Sequence, residues 1–214
     1  YLGVEPYTEP VPVYPTAHYA MGGVPTNVET EVLADNEQVV KGLYAAGEVA
    51  CVSVHGANRL GTNSLLDINV FGRRAGIAAA EYAATAEFVP LPESPATDVF
   101  DLLASLRDSD GGERVAAIRS ELQATMDSHA QVYRTEASLK QALSDLSTLR
   151  ARFANVTVQD KGQRFNTDLL EAVELGFLLE LAEVLVVAAL ARKESRGGHF
   201  REDYPTRDDE QFMR

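Results

Sequence analysis

The sequence predicts an α/β segment followed by an all-α helical bundle. Three observations carry this. A glycine-punctuated loop at 54–63 opens into a long helix, with short strand-like runs before it. A proline cluster, Pro90, Pro92 and Pro95, interrupts all periodicity. Beyond it, apolar residues recur at helical spacing through several stretches joined by short connections. The expected units are residues 1–87 and a helical domain over 88–214 with a charged tail.

Residues 1–16 carry Pro6, Pro10, Pro12 and Pro15, a density that fixes an extended edge strand or wrapping arm. Gly22-Gly23 then permits a turn that side chains would block. Alternation from Val28 to Val40 around Asp35-Asn36-Glu37 predicts a hairpin. Leu43 to Glu48 reads as a buried strand ending at Gly47, with Glu48 at its carboxyl end, where α/β sheets place ligands. Ser64 and Asp67 form a capping-box-like pattern at the start of the next helix. That helix is apolar on one side through Leu65, Leu66, Ile68, Phe71, Ala75, Ala78, Ala79 and Tyr82, and Gly72 and Gly76 allow another backbone to approach.

After the proline break, helices are expected at about 96–107, 113–133 and from Thr135 through Phe153, with a fourth capped by Asn166 or Thr167. Asp168 and Glu171 in its first turns, and Arg192, Lys193 and Arg196 at its end, suit the helix dipole. Its apolar run, Leu175 to Leu190, contains Glu180 and Glu183. Each would cost about 2.5–3.5 kcal/mol at the centre of a bilayer, so a helix buried among other helices fits better. The tail from Arg201 is expected to lie over the surface.

The net charge of −13 argues against nucleic-acid binding. One cysteine, Cys51, excludes an internal disulfide framework and a cysteine metal cluster. No G-x-G-x-x-G, Walker loop or zinc-ligand spacing occurs, so no metal ligands are assigned. A start at Tyr1, without Met and directly in motif-dense sequence, reads as an internal cut point in a longer protein.

Two features point to chemistry. A helix starting at a Gly/Asn/Ser loop offers free N–H groups and a positive dipole end to an anion or electron-rich ring. Arg59, inside that loop, can grip a carboxylate through two parallel hydrogen bonds. His18 precedes the Gly-Gly turn, off any apolar face, and is a candidate functional histidine. His55 is expected to bond backbone groups, His129 to be structural, and His199 to cap or join elements. Glu48 is placed to accept hydroxyl hydrogen bonds from a ribityl or ribose chain.

His18 to Thr26, Gly42 to Cys51, the block from His55 to Gly76 and the closing Glu194 to Pro205 closely resemble flavoprotein subunits of the succinate dehydrogenase and fumarate reductase superfamily, the dehydrogenases more than the reductases. The resemblance covers essentially the whole chain. It implies the carboxy-terminal part of an FAD-binding α/β domain followed by the helical domain, with the dinucleotide-binding core, the flavin-attaching histidine and the capping domain all ahead of Tyr1. It implies FAD as cofactor and a dicarboxylate, succinate or fumarate, as substrate. His18 and Arg59 would bind the carboxylates, Arg59 also stabilising charge during hydride transfer, and Glu48, Asn63, Ser64 and Leu65 would contact FAD. Its partners would be an iron–sulfur subunit and membrane anchor subunits. It would sit peripherally on the cytoplasmic side of a bacterial plasma membrane, or on the matrix side in mitochondria. The fragment alone would be inactive. A fumarate reductase portion and a non-catalytic helical interaction fragment are the alternatives.

Overall fold

A computed structural model describes residues 3, 5, 7–11, 18–35 and 37–213. The proline arm expected over 1–16 falls largely outside them.

The first part holds two small strand pairs and one long helix. β1 (Val24–Pro25) pairs in parallel with β4 (Ala50–Cys51), and β2 (Glu31–Leu33) pairs antiparallel with β3 (Val39–Tyr44). The predicted hairpin is present, its turn closed by the Asp35 carboxylate accepting from the Glu37 and Gln38 N–H groups, both at 2.8 Å. The buried strand expected over 43–48 is not. β3 ends at Tyr44 with Leu43 exposed, and Gly47–Val49 forms a 3-10 turn carrying Glu48. Gly47 sits at φ +80, where a methyl group would meet the Ile68 side chain at 3.0 Å; that turn ends the extended run.

α1 spans Asn63–Thr85 as expected, but its start differs. Thr62, at φ +66, precedes the first turn without a side-chain cap. Asp67 does not close a capping box because its carboxylate turns to His55. The expected apolar face is not buried either: Leu65, Leu66 and Ile68 are exposed, and Asp67 is the buried residue of α1. A methyl group at Gly72 or Gly76 would meet open space. Within the described residues α1 packs mainly on β3 and the Gly47–Val49 turn, which touch only a small part of its surface.

Residues 86–96 have almost no regular structure. The second part follows: α2 (Thr97–Asp108), β5 (Glu113–Arg114), α3 (Val115–His129), β6 (Tyr133–Arg134), α4 (Glu136–Phe153), β7 (Val156–Thr157), α5 (Thr167–Ala191), β8 (Phe200–Arg201) and the short α6 (Asp209–Phe212). The two-residue bridges fix the bundle's directions. β5, just before α3, pairs with β7, just after α4, so α3 and α4 run antiparallel. β6, just before α4, pairs with β8, beyond α5, and sets α4 and α5 antiparallel in the same way. The helix expected over 113–133 is shortened to 115–129 because both ends are used in these bridges.

The caps follow the sequence. Thr135 and Ser138 satisfy each other's backbone N–H at the start of α4, and the Asn166 side chain accepts from Leu169 N–H at 2.8 Å. Ala172, Leu175, Leu179, Ala182, Val186 and Ala189 form one buried stripe on α5, packed on Ile118, Leu139, Leu146 and Leu149. α5 is buried on that stripe alone. Its other side exposes Phe177, Leu181, Val184 and Val187, and Glu183 pairs with Arg150. Among the described residues no helix is long and apolar enough to cross a membrane.

The tail lies over the surface as expected, except at its first residue. Arg201 is fully buried: its Nη1 donates to the Ala189 and Leu190 carbonyls at the end of α5, and Nε and Nη2 each donate to Asp203 at 2.8 Å. Asp203 in turn accepts from Glu136 N–H at 2.7 Å. A cation at one helix's carboxyl end and an anion at its antiparallel neighbour's amino end thus form one pair, in the order the two dipoles favour. Arg192 and Arg196, expected to serve the α5 dipole, grip the buried Glu194 instead.

Candidate active site

Tyr19 gathers the central residues. It lies between the segment carrying His18 and the 54–62 loop, with Gly23 nearby at φ +119; a methyl group there would meet the Val49 carbonyl oxygen at 2.4 Å, so the Gly-Gly turn packs where no side chain fits. The Arg59 guanidinium stacks over the Tyr19 ring, 4.8 Å from its centroid. His55 meets Tyr19 edge-on at 5.4 Å, and its Nε2 lies 3.5 Å from the Tyr19 hydroxyl and 2.9 Å from Asp67 Oδ2. Because a carboxylate only accepts, this contact assigns the proton to Nε2. A narrow cleft beside the group is lined by Tyr19, Met21, Cys51, Val54, His55 and Asp67.

Burial pushes the Tyr19 phenol above its ordinary range, with the Asp67 and Glu48 carboxylates acting in the same direction; hydrogen bonding from Ser64 and the Arg59 cation pull it back. Glu48, Arg59, Ser64 and Asp67 thus all act on the Tyr19 phenol. Asn63 N–H bonds the Leu60 carbonyl at 3.1 Å and Leu65 N–H bonds that of Thr62 at 3.0 Å, while Ser64 N–H has no acceptor among the described residues. Leu65 itself points outward, more than half exposed. His18 is exposed, adjacent to Tyr19 in the chain but outside the hydrogen-bonded group.

Arg59 donates to the Leu60 carbonyl through Nη1 at 3.3 Å, a long bond, and its Nε is buried with no partner among the described residues. A buried guanidinium donor costs free energy until an acceptor arrives, which suits an anionic ligand. His55 Nδ1 and Asp67 Oδ1 are likewise buried and unpartnered there. His55 bonds a carboxylate and a phenol rather than the backbone groups expected of it. His129 lies 3.7 Å from Asp145 on neighbouring helices. His199 donates from Nε2 to the Arg192 carbonyl at the end of α5 and accepts from Arg134 at Nδ1, both at 3.0 Å, which is the capping role foreseen for it.

The sequence reading missed the contact of Tyr19 with Arg59 and that of Asp67 with His55. Both left a signal. Tyr19 directly follows His18 in the Gly-Gly segment, and Asp67 is a lone carboxylate among apolar neighbours in the first turns of α1.

Fold and site together define a portion of an FAD-binding flavoprotein joined to a helical domain. Residues 1–65 match the FAD binding domain, and residues 119–214 match the fumarate reductase flavoprotein carboxy-terminal domain. The chain is 47% identical over its whole length to the succinate dehydrogenase flavoprotein subunit of Rickettsia bellii, and 44% identical over 98% of its length to a mitochondrial counterpart from Xenopus laevis. It superposes on E. coli quinol fumarate reductase with a TM-score of 0.87 at 43% identity, covering 99% of this chain and 36% of that one. The chain belongs to the succinate dehydrogenase and fumarate reductase flavoprotein family, whose cofactor is FAD. It spans 37% of the Rickettsia subunit and 32% of the Xenopus one. These relatives are flavoprotein subunits, from bacteria and from mitochondria.

Proposed function

We propose that this chain forms one wall of a succinate dehydrogenase active site, with the helical domain that supports it. The observation that carries the reading is the Arg59 guanidinium, set over the Tyr19 ring with a buried Nε that has no partner among the described residues, four residues ahead of the start of α1. We assign residues 1–87 to the FAD-binding domain and 88–214 to the helical domain.

FAD, when bound, supplies the hydride acceptor. The chain's own residues do the rest. Arg59 grips one substrate carboxylate and balances the charge that shifts as hydride moves between the dicarboxylate and the cofactor. His18 meets the other carboxylate from the segment beside Tyr19. Tyr19 holds the guanidinium over its ring, and Asp67 fixes the His55 ring that bounds Tyr19 on its edge. Glu48 accepts hydroxyl hydrogen bonds from the cofactor. Asn63, Ser64 and Leu65 present the positive end of α1 to the flavin, which favours its reduced, electron-rich form. The free Ser64 N–H supports this assignment. Electrons pass on to an iron–sulfur subunit and to quinone through membrane anchor subunits, with the flavoprotein peripheral on the cytoplasmic or matrix side.

The test is dye-coupled succinate oxidation by the holoenzyme, with fumarate reduction measured alongside. Faster oxidation supports a dehydrogenase. Faster reduction supports the fumarate reductase reading, which the likeness to quinol fumarate reductase keeps in play. No turnover in either direction refutes the assignment. With no G-x-G-x-x-G in its 214 residues to hold the pyrophosphate, the isolated chain is expected to bind FAD weakly and to show no turnover.

A further inference from the structure

The loop that carries Arg59 is held by a turn from the far end of the chain. Gly198 N–H donates to the Ala57 carbonyl at 2.9 Å. Gly197, at φ +58, passes so close that a methyl group on it would lie 2.3 Å from the Ala57 oxygen and 2.7 Å from Ala57 Cβ. The turn is itself rigid. Arg196 and His199 exchange both backbone hydrogen bonds, at 2.8 and 3.0 Å. Arg196 is clamped on the fully buried Glu194 and reaches Asp209, while His199 is pinned to the Arg192 carbonyl. Ala57 lies two residues from Arg59.

We propose that the Arg196–His199 turn is a positioning brace, which sets the height of the 54–61 loop and so the place of the Arg59 guanidinium over Tyr19. Gly197 is its contact residue: only a residue without Cβ lets the turn seat against Ala57. The consequence for substrate rests on the reading of Arg59 as the carboxylate grip. The helical domain then contributes to dicarboxylate binding without touching the ligand. Its ion cluster, which looks like a stability device, also holds an active-site loop in register.

The test compares three variants. Gly197→Ala adds the clashing methyl group. Gly197→Asn adds the same Cβ with a residue that tolerates positive φ, separating the clash from backbone strain. Gly111→Ala is a steric control elsewhere in the helical domain, where a methyl group would lie 2.1 Å from the Asn155 oxygen. Tryptic cleavage at Arg59–Leu60 in the holoenzyme, read by mass spectrometry, reports loop opening. The dissociation constant of malonate, a small dicarboxylate, is measured on the holoenzyme with flavin content and Tm alongside. Both Gly197 variants are expected to raise cleavage and the malonate constant at least about tenfold, and Gly111→Ala to change neither beyond about twofold. Unchanged cleavage, or equal cleavage in the Gly111→Ala chain, overturns the brace. Faster cleavage with unchanged malonate binding also overturns it, because the loop would then move without displacing Arg59. A wild-type holoenzyme that binds no malonate counts against the dicarboxylate reading instead, and the cleavage arm still decides the brace.

Discussion

Replacing Arg59 by lysine keeps the charge and removes the geometry. The guanidinium offers parallel N–H donors in one plane, and its Nε is already buried without a partner among the described residues. A lysine ammonium can meet one carboxylate oxygen well but not both in the same plane. The loss of one charge-assisted hydrogen bond is about 1.5–3 kcal/mol. The cation–π contact with Tyr19, 4.8 Å from its centroid, contributes about 0.5–1 kcal/mol more at a partly exposed site. Together these give about 2–4 kcal/mol, or roughly a 30- to 900-fold fall in kcat/KM for succinate. The assay is steady-state succinate oxidation by the holoenzyme, with flavin content measured so that occupancy is not mistaken for rate. Tyr19→Leu removes the stack together with the ring and hydroxyl contacts to His55, so its loss is expected to be at least about twofold, and Tyr19→Phe, which keeps the ring, should lose less. An Arg59→Lys enzyme within about threefold of wild type would refute the two-point grip.

Two further predictions concern the helical domain. Arg201→Met leaves Asp203 and the final α5 carbonyls without their buried cation; because the Asp203 side chain is 30% exposed, the low end of the usual penalty applies, about 3 kcal/mol. Thermal unfolding followed by circular dichroism should show Tm lowered by roughly 6–12 °C. Arg207→Met, which breaks an exposed pair with Asp209, should leave Tm nearly unchanged, and equal losses in the two variants would refute the buried-pair account. Stability should also fall in acid. Burial and the neighbouring arginines hold His199 below its ordinary 6.5, so the unfolded chain takes up a proton there first as pH falls through that value. Arg196 holds Glu194 down to about 2, and Arg201 holds Asp203 down to about 2, from ordinary values of 4.5 and 3.8. Their contributions are complete above the unfolded values and disappear as pH drops toward 2, so Tm should fall most steeply between about pH 4.5 and 2. A flat profile across that window would show that these carboxylates are not clamped.

The helical part was legible because its signals are local. Thr135 and Asn166 cap the helices that their residue types announce, whereas the buried stripe of α5 was not legible, because apolar residues lie on its exposed side as well. The first part was legible as motifs but not as packing. A strand was expected through Gly47 because apolar residues precede it, yet burial of a strand depends on what covers it, and among the described residues β3 packs mainly on β2 and α1. The capping box at Ser64 failed for a related reason: two groups competed for the Asp67 carboxylate, and His55, twelve residues away, formed the stronger buried contact. Tyr19 escaped notice because nothing in its neighbourhood says that Arg59, forty residues on, will lie over its ring.

By itself the sequence determined the succession of helices in the second part, the caps at Thr135 and Asn166 and the identity of the chemical loop, because capping, periodicity and glycine placement act over a few residues. It also carried Arg59, Ser64 and the family resemblance directly. Tertiary structure alone decided that Tyr19 joins the loop to the helix start, that Arg201 is buried between two antiparallel helix ends, and that Gly197 seats against Ala57. Those are contacts between residues tens to more than a hundred positions apart. Their energy comes from removing charges and rings from water, which depends on where the folded chain brings its distant parts.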